Sequence, residues 1–201
     1  RLHRQPVAHR MGEEIEARDL ALAGDHAQKV LIGIAAEIRG VLVIAIGGRF
    51  PARGPAEQHR NAAKAGVGDN VTFREQNIFE TDLSEATTVS MYLLTSINIR
   101  MRPKLLKELK PGTRIVSNTF SMGDWEPDQV IEAAHLKAYY WKVPARVEGR
   151  WSVPGLGGEA SAVLNLVQRH QRVAGTLSMA GTTQPLLGVQ LDGAQLAFSF
   201  V

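Results

Sequence analysis

The hydrophobic pattern of this chain changes period near residue 125. Upstream, apolar runs alternate with helical stretches. Residues 41–46, Val-Leu-Val-Ile-Ala-Ile, are apolar without interruption and end in Gly47-Gly48, which predicts a strand buried on both faces followed by a turn. Residues 57–65 are rich in Ala and stop at Gly66, the pattern of a helix with a glycine terminus. Residues 71–74 predict a short strand, and residues 87–94, β-branched and apolar, predict a second buried one. Residues 97–109 predict a helix, with Pro103 placing its regular start near Arg102. Lys110-Pro111-Gly112-Thr113 is a turn, and residues 114–117 form the next strand. Strand, helix and strand in alternation predict an α/β sheet.

Downstream the spacing becomes that of hairpins. Residues 138–143, 146–153, 161–168, 172–179, 186–191 and 195–200 read as short strands, several of them separated by Gly-rich breaks. Asp192-Gly193 is the strongest turn signal in the chain. Three regions follow: an atypical segment 1–56, in which residues 11–36 predict a helix; an α/β domain over 57–130, extended by a strand at 41–46; and an antiparallel β unit over 136–201. Tyr139, Trp141 and Trp151 are expected to be buried where the last two meet.

Several local sequences together resemble the second half of a class I S-adenosylmethionine-dependent methyltransferase, in a bacterial subgroup with a C-terminal β extension. Phe73-Arg74-Glu75-Gln76-Asn77-Ile78-Phe79 is similar to the family's third strand and the polar-apolar pair after it. Thr88-Val89-Ser90-Met91-Tyr92-Leu93-Leu94 resembles the fourth strand, which in the subgroup carries Tyr-Leu-Leu. Leu109-Lys110-Pro111-Gly112-Thr113 and Met122-Gly123-Asp124-Trp125 resemble the turn and segment that follow. Tyr140-Trp141-Lys142-Val143-Pro144-Ala145 and Gln168-Arg169-His170-Gln171-Arg172-Val173-Ala174-Gly175 are similar to the tail, so the resemblance runs from about Glu57 to the end.

The resemblance implies a Rossmann-like sheet, incomplete in its N-terminal half, followed by the small β unit. It implies S-adenosylmethionine as cofactor, direct methyl transfer, and a cofactor site near Asn77, Ile78, Tyr92 and Leu94. Asn77 stands where the family usually has Asp and can accept a hydrogen bond from an adenine amino group, although Asn is also a common turn residue. Two features depart from the family. Thr95-Ser96 replaces the Pro that commonly follows the Leu pair, and no acid-x-Gly-x-Gly sequence precedes Glu57. Ala45-Ile46-Gly47-Gly48-Arg49 is the nearest candidate for that loop. The alternative to an enzyme is therefore a noncatalytic methyltransferase-like binding or scaffold protein.

Composition narrows the remaining classes. The net charge of +3 is spread over 23 basic and 20 acidic residues, and no dense basic run marks a nucleic-acid surface. The chain has no Cys, which excludes disulfides and thiolate metal sites and is compatible with a cytoplasmic location. The six His residues show no metal-binding spacing, so no metal site is expected. No apolar run is long enough for a membrane span. The methyl acceptor, protein or small molecule, and the oligomeric state stay open.

Overall fold

The computed structural model describes residues 41–44, 55–66, 68–70, 72, 77–133, 136–156 and 161–201. The helix expected over 11–36 and most of the strand expected over 71–74 lie outside these residues. Strand β1 (Val41–Ile44) is followed by helix α1 (Pro55–Lys64), β2 (Thr88–Met91), α2 (Thr95–Glu108), β3 (Arg114–Asn118), β4 (Gln129–Ala133) and β5 (Leu136–Lys142). The remaining strands are β6 (Gly149–Val153), β7 (Ala162–Arg169), β8 (Arg172–Met179), β9 (Thr182–Pro185), β10 (Leu187–Asp192) and β11 (Gln195–Ser199).

The first five strands form one mixed sheet in the order β1-β2-β3-β5-β4. β1, β2 and β3 run parallel, β5 is antiparallel to β3, and β4 is antiparallel to β5. The central strands explain the unbroken apolar runs. Val89 and Met91 lie on one side of β2 and Thr88 on the other, and all three are buried, because parallel strands are covered on both faces. Over this sheet α2 lays the stripe Asn98, Met101 and Leu105, spaced as helical neighbours on one face. Leu83, Ile115, Met122, Trp125 and Trp141 complete a core with no solvent exposure.

The second sheet is the antiparallel meander β6-β7-β8-β9, and β10-β11 is a separate hairpin. Leu164, Leu166 and Leu177 of the meander are buried, and Leu196, Phe198 and Phe200 of the hairpin pack against that cluster. The hairpin turns where the sequence indicated, with Asp192 opposite Gln195 and Gly193 at φ 57°.

Four expectations need correction. First, α2 begins at Thr95 rather than near Arg102, so Pro103 lies inside the helix. The buried stripe on either side of the proline outweighs its local cost. Second, Leu136–Lys142 belongs to the first sheet and not to the C-terminal β unit: Trp141 sits opposite Ile115, and both are fully buried. Alternation shows that a segment is a strand, and does not show which sheet it joins. Third, Trp151 is 47% exposed, because β6 is an edge strand. Tyr139 is half-buried and stacked on Trp141 at 5.9 Å, so only Trp141 meets the burial expectation fully. Fourth, β4 and β9 were not expected. Both are short edge strands, and β9, Thr-Thr-Gln-Pro, has little apolar signal.

Candidate functional site

Ligand crevices in sheets of this kind form at the carboxyl ends of the parallel strands. The chain leaves β2 through Tyr92-Leu93-Leu94 before entering α2. Strand-like alternation continues through these residues: Leu93 is buried, while Tyr92 and Leu94 are 41% and 60% exposed. The Leu94 carbonyl accepts hydrogen bonds from the amides of Ile97 (2.9 Å) and Asn98 (3.0 Å), which starts the helix. The chain leaves the neighbouring strand β3 through Thr119, held at φ 67°, and Phe120. The rings of Tyr92 and Phe120 meet at 5.9 Å between centroids, tilted by 43°. The two loops thus share one aromatic wall.

Asn77 opens a turn. Its Oδ1 accepts from the Phe79 amide (3.1 Å), its Nδ2 donates to Glu80 Oε1 (2.7 Å), and its carbonyl accepts from the amides of Glu80 and Thr81. An Asn amide has two hydrogens and two lone pairs, so one of each is left beyond these contacts. Ile78 is 7% exposed and belongs to the main core. Its role in the structure is packing. The guanidinium of Arg100 lies 4.6 Å from the centre of the Phe79 ring, which ties the Asn77 turn to α2. The sequence-derived residues therefore converge on the first half of α2. Leu94 caps it, Tyr92 precedes it, and Asn77 and Ile78 reach it through Phe79.

Asn98 was not singled out from sequence, and neither were its partners Phe120 and Ser121. Asn98 is fully buried, and its Nδ2 lies 3.1 Å from Ser117 Oγ, 3.1 Å from the Phe120 carbonyl and 3.2 Å from the Ser121 carbonyl. Ser117 Oγ donates to the same Phe120 carbonyl at 2.7 Å. The Oδ1 of Asn98 is buried with no hydrogen-bond partner, an omission that costs about 1–3 kcal/mol. The available signal was a polar residue in line with Met101 and Leu105, at a helix position where an apolar one would pack.

Charged groups brace the far side of the Phe120 loop. Asp124 accepts from Arg169 (2.9 Å) and from Arg102, and these two guanidiniums hold its carboxyl well below the usual carboxylate range. Arg102 also donates to the Met122 carbonyl (2.9 Å). Arg172 pairs with Glu126 at 2.7 Å and lowers its pKa in turn. Gln171, at the tip of the β7–β8 hairpin, accepts from Trp125 Nε1 (2.9 Å) and donates to the Glu126 carbonyl (2.7 Å) and Asp128 Oδ1 (3.2 Å). Beside it, the His170 ring stacks on Trp125 at 5.6 Å. Burial, with the nearby Arg102 charge, lowers the pKa of His170. Among the described residues no cluster of His, Asp or Glu could hold a metal ion, and no helix is long and apolar enough to cross a membrane.

Comparison with known proteins fits this arrangement. A profile of the ANTKMT methyltransferase domain matches residues 43–129, starting upstream of the Glu57 boundary seen in the sequence. The crystal structure of an RNA methyltransferase from Salinibacter ruber, in complex with S-adenosyl-L-homocysteine, superposes with a TM-score of 0.51 at 36% identity. The match covers 59% of this chain and 76% of that one. This chain belongs to the S-adenosylmethionine-dependent methyltransferase family. Among curated relatives, a protein-lysine N-methyltransferase of Saccharolobus islandicus is 50% identical over 72 residues, 36% of this chain and 45% of that protein. The mouse adenine nucleotide translocase lysine N-methyltransferase is 30% identical over 71 residues, 35% of this chain and 31% of that protein. The chain thus spans less than half the length of either curated relative.

Proposed function

We propose that this chain is an S-adenosylmethionine-dependent methyltransferase with a Rossmann-like sheet, acting on lysine side chains of a protein. The observation that carries the reading is the junction of two loops at the carboxyl ends of adjacent parallel strands, with Tyr92 and Leu94 on one and Phe120 on the other. Further support comes from β1. It pairs parallel with β2 at the sheet edge, so its carboxyl end at Ile44 lies at the same end of the sheet as that of β2. That is where the family carries its glycine-rich turn.

The residues present fit the cofactor in part. Asn77 retains one donor and one acceptor for an adenine edge, and Tyr92 and Leu94 offer exposed apolar surface. Ile78 fits only as the packed support beneath Asn77. When bound, S-adenosylmethionine supplies a methyl group activated by its sulfonium charge. The protein's part is to align an uncharged lysine amine and to exclude water. The faces of Tyr92 and Phe120 favour cationic groups, which suits both a sulfonium and the methylated ammonium product. Transfer would form one N–C bond as the S–C bond breaks, and the amine would release one proton to solvent.

The lysine acceptor follows the two curated relatives, whereas the structural neighbour acts on RNA. A transfer assay with radiolabelled S-adenosylmethionine, offered a lysine-rich protein pool and RNA separately, discriminates between them. Label in the protein fraction is expected; label only in RNA would reject the lysine reading. The alternative, a noncatalytic scaffold, is favoured by the missing acid-x-Gly-x-Gly sequence and requires that the chain bind no cofactor product.

A further inference from the structure

We propose that Asn98 is a positioning residue for the aromatic wall of the crevice, an inference that rests on the methyltransferase reading of that crevice. Asn98 is bonded to both loops. Its amide donates to the Leu94 carbonyl, at the end of the loop that carries Tyr92. Its side chain faces the carbonyls of Phe120 and Ser121, on the loop that carries the opposing ring. Two carbonyl acceptors fix which way the amide points, because a flipped side chain would set oxygen against oxygen. That orientation leaves Oδ1 buried without a partner.

An apolar residue would fill the stripe with Met101 and Leu105 at no such cost. What it could not do is donate to the Phe120 loop. The loop needs an external hold, since Thr119 takes a left-handed conformation that disfavours a β-branched residue. Ser117 supplies a second donor to the Phe120 carbonyl but none to that of Ser121. Asn98 is therefore the group that binds the two loops to one helix turn. Its effect on a ligand passes through the Tyr92–Phe120 pair rather than through direct contact.

The test uses the full chain with Asn98→Leu, and with Ser117→Ala as a milder companion. Two quantities are read: amide hydrogen exchange at Thr119 and Phe120, and S-adenosylhomocysteine affinity by calorimetry. Asn98→Leu should melt at or above the wild-type temperature while exchange at Thr119 and Phe120 quickens and affinity falls about tenfold, the effect of losing one buried donor. Ser117→Ala should move both readings the same way by less. A purely structural role predicts the reverse for the leucine variant: exchange and affinity unchanged once the stripe is filled. That result would overturn the proposal. If Asn98→Leu fails to fold, Ser117→Ala decides alone, and unchanged exchange at Phe120 counts against the clamp. Faster loop exchange in a protein whose wild type binds no S-adenosylhomocysteine would support the clamp and overturn the proposed function.

Discussion

At the scale of single residues, the chemistry of this site lies in amides. Asn77 has two duties that one substitution separates poorly and two measurements separate well. Asn77→Ala removes the bond to the Phe79 amide and the one to Glu80, so it should lower the melting temperature, each bond contributing about 0.5–1.5 kcal/mol net. If the spare groups of Asn77 also meet an adenine, S-adenosylhomocysteine affinity should fall about 2- to 13-fold in the same variant. A lower melting temperature at unchanged affinity would leave Asn77 as a turn former only. Sequence indicated Asn77, Tyr92 and Leu94 because they fall within local strings that resemble a family. Asn98 was not legible that way. Its importance arises from Phe120 and Ser121, which lie far along the chain and come close only once β3 lies beside β2.

At the scale of elements, α2 and the β7–β8 hairpin show how local rules yield to packing. Pro103 reads as a helix start and is instead interior, because the stripe spans it. Pro103→Ala restores a backbone donor at an exposed position. It should stabilise the protein by about 1–2 kcal/mol in denaturant unfolding, less than the full interior penalty of proline because the unfolded chain also gains freedom. The hairpin carries a pH dependence. The pKa of His170 is lowered on folding, by burial and then by Arg102, so the folded state binds a proton less readily than the unfolded one. The stability His170 contributes is present above the ordinary imidazole value of 6.5 and is lost as pH falls through 6.5 toward the lowered folded value. Melting temperature should therefore drop between about pH 7.5 and 5.5, and His170→Asn should flatten that drop, since Asn tolerates the φ of 54°. An unchanged slope would show that other groups govern it.

At the scale of the whole molecule, the two sheets are joined by one side chain more than by charge. Gln171 satisfies the indole of Trp125, which is fully buried, and two further acceptors. Gln171→Ala strands that indole donor and should cost about 1–3 kcal/mol. Arg172→Ala removes only an exposed ion pair with Glu126 and should cost less than the loss of Gln171. Equal losses would mean that the pairing of charges holds the junction as strongly as Gln171 does. Of the architecture, the strand alternation in 138–200, the strand at β1 and the buried run at β2 could be read from the apolar pattern, as could the Asp192-Gly193 turn. The allocation of Leu136–Lys142 to the first sheet could not, because both sheets ask for the same alternation and only the pairing of Trp141 with Ile115 decides.

The central claim is that these loops still form a cofactor crevice although the family's glycine signature is absent from the sequence. Calorimetric titration of the intact chain with S-adenosylhomocysteine tests it most directly. The account predicts one site per chain with a dissociation constant in the micromolar range, about −8 kcal/mol at 1 μM. Binding that is absent or only millimolar would contradict it, and would leave the chain as a methyltransferase relative that has kept the sheet and lost the ligand.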